Sequence, residues 1–218
     1  MTSQLAVTVL VSGRGSNLMA LHEKAQGYAI NAIVSNNPEA PALEWAAQHG
    51  IPTHTVSRNE FTSLADFKAG LLRAVSETAP DIVALAGFMV VLPPDFVGKF
   101  AGRLINIHPS ILPKYPGLDS HQRALDAGDK QHGATVHFVA EGVDTGAIIA
   151  QGVVPVEPTD TVAILAARTL ALEHKLYPWV LRYISSGEIA LRHGLVTYSD
   201  RVRSAAKASG FILSESFQ

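Results

Sequence analysis

Residues 5–11, Leu5-Ala6-Val7-Thr8-Val9-Leu10-Val11, are a near-continuous apolar run of strand length that breaks at once into Ser12-Gly13-Arg14-Gly15-Ser16-Asn17. A strand that is apolar on both sides of its pleat needs cover on both faces, which parallel sheets flanked by helices provide. Beyond the loop, Leu18, Leu21 and Ala25 continue at helical spacing. Strand-like runs recur at 29–35, 53–56, 82–86, 134–139 and 147–155, with helical patterns at 41–49, 61–78 and 121–127 between them. The alternation predicts an α/β fold with a doubly wound, mostly parallel sheet, and ligands at the carboxyl ends of its strands.

The 218 residues, 47% hydrophobic, suffice for one large core, expected over 1–199 as a single domain. A long helix should start at Thr159 or Asp160, kink at Pro178 and end by Gly187, with a small hairpin over 189–198. From Asp200 the chain is polar and weakly patterned, so 200–218 reads as a loosely ordered tail. A formal charge of -2 argues against a sequence-independent grip on nucleic acid. The absence of cysteine excludes a thiolate nucleophile, a disulfide and a Cys-based zinc site. No apolar run approaches the about 18 residues of a membrane span, and the start is no signal peptide, so a cytoplasmic protein is the expectation.

Three stretches carry possible chemistry. The glycine loop between strand and helix can aim backbone N–H groups and a helix N-terminus at an anion, or can simply be a tight turn. It lacks the third glycine of Gly-x-Gly-x-x-Gly, with Leu18 there instead. The second strand ends in Ser35-Asn36-Asn37 without a ribose-binding carboxylate, and no Gly-Lys-Ser/Thr is present. A phosphate monoester therefore fits better than a dinucleotide or a nucleoside triphosphate. Gly87-Phe88-Met89-Val90-Val91-Leu92, closed by two prolines, either walls a site for a flat heterocycle or is a buried turn. Asn106 and His108, two apart at the end of the apolar run 104–108, face the same way on a strand. They can hold an oxyanion and move a proton beside it, or merely satisfy backbone groups at a strand end.

Each stretch closes a strand, so a parallel sheet would gather all three on one edge. The following loop, 109–120, is long and without periodicity, which is usual for functional or mobile segments. His132 and His137 read as ordinary polar positions, lacking companions at metal-ligand spacing.

Ser12-Gly13-Arg14-Gly15-Ser16-Asn17-Leu18, Ala86-Gly87-Phe88-Met89, the run from Ile105 through Asn106, His108 and Pro109 to Gly117, Asp144-Thr145-Gly146 and Glu173-His174 together resemble the folate-dependent formyltransferases. The resemblance extends over about 5–192, and the phosphate-loop start points to the members that act on glycinamide ribonucleotide. It implies a Rossmann-like fold and transfer of a formyl group from 10-formyltetrahydrofolate, as co-substrate, to the amine of that ribonucleotide in purine synthesis. It also implies a catalytic trio of Asn106, His108 and Asp144, with Asp144 holding His108 cationic. Gly15, Ser16, Asn17, Leu18, Met19 and Glu173 would bind the ribonucleotide. Met89, Val90, Val91, Leu92, Asn106 and the loop Glu141, Gly142, Val143, Asp144 would border the pterin.

No metal is implied, and the partners are small molecules rather than nucleic acid or membrane, for a monomer or weak homodimer. The chain departs from the relatives' pattern at Val90 and near Leu64, where arginine is usual, and at Asp119, where some carry histidine. A 10-formyltetrahydrofolate hydrolase would add an N-terminal domain and a methionyl-tRNA formyltransferase a C-terminal one. A non-catalytic phosphosugar-binding module would have no need of the trio.

Overall fold

The first apolar run is strand β1 (Leu5–Val11), buried from Val7 to Val11. A computed structural model describes residues 4–214, and its backbone gathers into two compact units, Met1–Ile105 and Asn106–Gln218.

In the first unit β1 leads through the glycine loop to α1 (Ser16–Glu23). The chain continues as β2 (Tyr28–Ser35), α2 (Pro41–Gln48), β3 (Thr53–Thr55), α3 (Leu64–Glu77), β4 (Ile82–Leu85) and α4 (Pro94–Lys99). The strands lie in the order β4-β1-β2-β3, all parallel; the apolar runs of β1 and β4 suit such a sheet, while the last strand, β3, is polar and exposed. Helix α3 starts later than the apolar spacing suggests, because Ser63 caps it by accepting the Asp66 N–H at 3.0 Å. Phe61, outside the helix, packs edge-on against Phe67. Helix α4 begins at the two prolines. Pro94 sits in its first turn, where a missing N–H costs nothing, and Phe96 and Phe100 supply the buried face.

The last three residues of β5 (Leu104–His108) open the second unit. After them come α5 (Ser120–Asp126), β6 (Gln131–Phe138), β7 (Ile148–Pro155), α6 (Val162–Ser185), β8 (Ile189–Arg192), β9 (Leu195–Tyr198), α7 (Asp200–Ser209) and β10 (Ile212–Leu213). Strand β7 pairs antiparallel with β6 on one side and β10 on the other, while β8 and β9 form the expected hairpin. Helix α6 packs on β6 and β7, and a side chain at Gly152 would collide with Leu172 of this helix at 2.6 Å. Its cap is Thr161 rather than Thr159 or Asp160, and Asp160 instead pairs with Arg168 at 2.8 Å. The helix runs on through Pro178 to Ser185.

The loosely ordered tail is corrected up to Ser214, beyond which the chain lies outside the described residues. Ser199 caps α7 by accepting the Val202 N–H at 3.2 Å, and Val202 and Ala206, one turn apart, are buried. Two buried positions in a polar stretch are a weak periodic signal, and β10 is too short to show any.

His121 on α5 and His132 on β6 join these two elements, with His121 Nδ1 3.0 Å from His132 Nε2. Burial, with neighbouring His121, pushes His132 down to about 4 against the opposing bond to the Pro109 carbonyl. Burial lowers His121 as well. Between the unfolded value of 6.5 and about 4 the unfolded chain therefore binds more protons than the folded one. Stability should be full above pH 6.5 and fall with acidification through this window, by up to about 1.4 kcal/mol per pH unit for each such histidine. Calorimetric Tm values between pH 8 and 4.5 (a range of about 3.5 units) should show this slope, and His132→Gln should flatten it. An unchanged slope in that variant would remove the pair as its cause.

Candidate active site

In the second unit, β5 delivers Asn106 and His108 on one side, two residues apart, with His108 buried and Asn106 half-buried. The turn after β6 brings Asp144 to them. Asp144 itself has a left-handed backbone, φ +54°, unusual for a residue with a side chain and tolerated best by Asp and Asn. The shape of the turn depends on Gly146, where a Cβ would meet the Phe138 carbonyl oxygen at 1.7 Å.

The Asp144 carboxylate is the centre of the cluster. Its Oδ2 accepts the Gly117 N–H at 2.8 Å and lies 3.2 Å from His108 Nδ1. Its Oδ1 lies 3.4 Å from Asn106 Nδ2 and 3.6 Å from His137 Nε2. Burial alone would raise this carboxyl group. The His137 ring, the Gly117 N–H and the charge of His108 outweigh it and hold the group below the usual carboxylate range.

His108 departs from expectation. Its Nε2 donates to the Tyr115 carbonyl at 2.8 Å, and both that oxygen and Asp144 favour a cationic ring. Burial nevertheless wins, aided by nearby His137 and Arg123, and the pKa lies below 6.5. Asp144 therefore does not by itself keep His108 charged.

His137 is the residue that sequence reasoning missed. Read as an ordinary polar position on an alternating strand, it instead contacts Asn106 at 3.2 Å beside Asp144. The available signal was a histidine within the otherwise apolar end of β6. Loop 109–120 is tied down at Ser110, Leu112, Tyr115, Gly117 and Ser120.

The glycine loop and residues 87–92 belong to the first unit and meet there. The Ser12 N–H donates to the Gly87 carbonyl at 3.1 Å, and the Met89 N–H to Ser12 Oγ at 2.9 Å. Asn36 and Asn37, at the end of β2, bond to Ser12 and fix the loop from the other side. Gly15 opens α1 with φ +76°, and a Cβ there would strike Ala42 at 2.7 Å. The helix start carries neither a capping side chain nor an acidic residue in its first turn. Ser16 and Met19 are half-buried, Asn17 is buried, and Leu18 is wholly in the core.

The segment after β4 is no buried turn. Met89 and Val91 are 66% and 63% exposed, with Val90 and Leu92 half-buried. Glu141, Gly142 and Val143 are likewise exposed in the second unit, and Glu173 is buried on α6. Among the described residues no group of three or more His, Asp or Glu side chains is placed to hold a metal ion, and no helix is long and apolar enough to cross a membrane.

The chain is similar to known proteins. The formyl transferase family model matches residues 5–181. The chain is 44% identical to phosphoribosylglycinamide formyltransferase of Escherichia coli over 85% of its own length and 89% of that protein. It is 46% identical to the trifunctional purine biosynthetic protein adenosine-3 of Drosophila melanogaster, spanning 83% of this chain and 14% of that one. The solved phosphoribosylglycinamide formyltransferase of Coxiella burnetii superimposes with a TM-score of 0.85 at 41% identity, covering 90% of this chain and 94% of that one. A formyltetrahydrofolate deformylase from Pseudomonas syringae shares the fold at 27% identity and a TM-score of 0.82, with 91% of this chain and 67% of that one covered. With a mostly parallel α/β fold and a family match over most of its length, the chain belongs to the formyl transferase family.

Proposed function

We propose that this protein transfers the formyl group of 10-formyltetrahydrofolate to the amine of glycinamide ribonucleotide, a step of purine biosynthesis. The observation that carries the reading is the cluster of Asn106, His108 and Asp144, with one Asp144 oxygen 3.4 Å from the Asn106 amide and the other 3.2 Å from His108 Nδ1. Its support is the 44% identity to a phosphoribosylglycinamide formyltransferase, against 27% to a deformylase.

Amine attack on the formyl carbon makes one carbon–nitrogen bond and leaves an alkoxide beside an ammonium. Asn106 donates an amide hydrogen to the alkoxide. His108 takes up a proton from solvent at Nδ1, beside Asp144 Oδ2, which supports the resulting positive charge, and shares its Nε2–H, which bonds the Tyr115 carbonyl in this structure, with the same oxygen. The ammonium proton passes through water toward Asp144 and finally to the folate nitrogen as the old carbon–nitrogen bond breaks. Gly15, Ser16, Asn17 and Leu18 offer backbone N–H groups to the ribonucleotide phosphate, Met19, whose own N–H bonds the Gly15 carbonyl, closes the first turn beside it, and Glu173 binds its glycinamide or ribose portion. Exposed Met89, Val91 and Val143, with Val90, Leu92, Glu141 and Gly142, border the pterin. Soluble metabolites as substrates suit a cytoplasmic monomer or weak homodimer.

The oxyanion contacts strengthen only as the alkoxide forms, so they act on kcat more than on binding. Asn106→Ala, His108→Ala and Asp144→Asn should each lose at least about a hundredfold in kcat, with calorimetric substrate affinity little changed. The His108 and Asp144 losses should not multiply in the double variant. Formyl release followed by absorbance should require the ribonucleotide. Release without it would identify a hydrolase, and none at all a binding module.

Gly15→Ala tests the anion loop separately. The strained φ and the contact with Ala42 should shift the loop, raising KM for the ribonucleotide at least about tenfold. A KM for the ribonucleotide unchanged in a folded variant would take Gly15 out of the phosphate site.

A further inference from the structure

His137 sits on β6 at a register shift between Val136 and His137, where the strand turns locally and re-aims the side chain. The ring is 2% exposed, and its Nδ1 lies 3.0 Å from the Phe138 carbonyl oxygen. A carbonyl only accepts, so Nδ1 carries the ring hydrogen and Nε2 presents its lone pair. That lone pair lies 3.2 Å from Asn106 Nδ2. The Asn106 nitrogen has a second hydrogen, on the side of the 3.4 Å contact to Asp144 Oδ1, which is long for a bond to a carboxylate. One amide hydrogen is thus anchored and the other is loosely held.

We propose that His137 is a positioning residue: its Nε2 holds one amide hydrogen of Asn106 and thereby keeps the other aimed at the place where the alkoxide develops. The proposal rests on the trio reading above. An amide presents nitrogen on one side and oxygen on the other, and nothing in its own shape prefers either orientation. Without an acceptor at Nε2 the Asn106 group can turn over, and its carbonyl would then repel the alkoxide that its N–H should stabilise. His137 touches no reacting atom in this scheme. It acts through Asn106.

Asparagine and glutamine at position 137 separate this role from packing. The amide of His137→Asn ends near the present Nδ1 and falls short of Asn106, whereas His137→Gln reaches as far as Nε2 and offers a carbonyl oxygen there. His137→Asn should lose about tenfold to a hundredfold in kcat, with KM for both substrates within about threefold, and His137→Gln should recover most of the loss. In the Asn106→Ala background, His137→Asn should change kcat by less than about threefold, because no amide remains to be aimed. Thermal unfolding of each variant separates loss of fold from loss of aim. Equal kcat losses for Asn and Gln, equal losses with and without Asn106, or a loss confined to KM would overturn the positioning role. Near-normal kcat in Asn106→Ala alone would overturn the trio reading, and this role with it.

Discussion

A carboxylate taken half out of water must be repaid by donors, and in the second unit Asp144 draws its donors from segments far apart in the chain. The Gly117 N–H comes from the long loop and the Asn106 amide from β5, while the rings of His108 on β5 and His137 on β6 lie 3.2 and 3.6 Å from its oxygens. The carboxylate reaches them only because the turn holds Asp144 at φ +54°, a conformation costing a side-chain-bearing residue of order 1 kcal/mol. Gly142, at φ +105°, and Gly146, against the Phe138 carbonyl, allow the turn to close tightly enough. Strain, glycines and donors are consequences of placing one charge at one point.

The loop after His108 is held by the same logic with neutral groups. It has no backbone ladder, so side chains satisfy its buried polar atoms. Thr135 Oγ1 donates to the Ser110 carbonyl at 2.7 Å and accepts the Leu112 N–H at 3.1 Å. Gln151 donates to the Leu112 carbonyl at 2.7 Å, Ser110 Oγ to the Lys114 carbonyl and Ser120 Oγ to that of Pro109. Arg123 donates to the Pro116 carbonyl and lies over the Tyr115 ring. The Tyr115 carbonyl is thereby fixed opposite His108 Nε2, and the direction of that ring hydrogen is set by residues that never touch it.

What could be read from the sequence was what repeats or what is flanked by distinctive residues. The apolar runs of β1, β2 and β4, the glycines after β1 and the Asn-x-His at the end of β5 each leave a local mark. Helix α7 and strand β10 do not, since only Val202, Ala206 and a single cap separate the former from a polar tail. Met89 and Val91 were ambiguous for another reason. An apolar residue in a turn looks the same whether the fold covers it or exposes it, and only the coordinates separate a buried turn from an open wall. His137 was illegible because its partners lie 31 and 7 residues away, and a strand register shift decides which way it points.

The lowered pKa of His108 is a condition of the proposed chemistry rather than an obstacle to it. Both ring nitrogens face acceptors, the Tyr115 carbonyl and Asp144 Oδ2, so the surroundings are already arranged for a cation. Burial, with His137 and Arg123 nearby, works against that charge. An alkoxide forming beside it adds negative charge at short range and favours uptake of a solvent proton at Nδ1, which gives the imidazolium. A ring already fully charged would have bound the neutral formyl carbonyl nearly as well as the alkoxide and gained less on the way between them. Burial and paired acceptors, opposed in the resting protein, make the stabilisation greatest where the barrier lies.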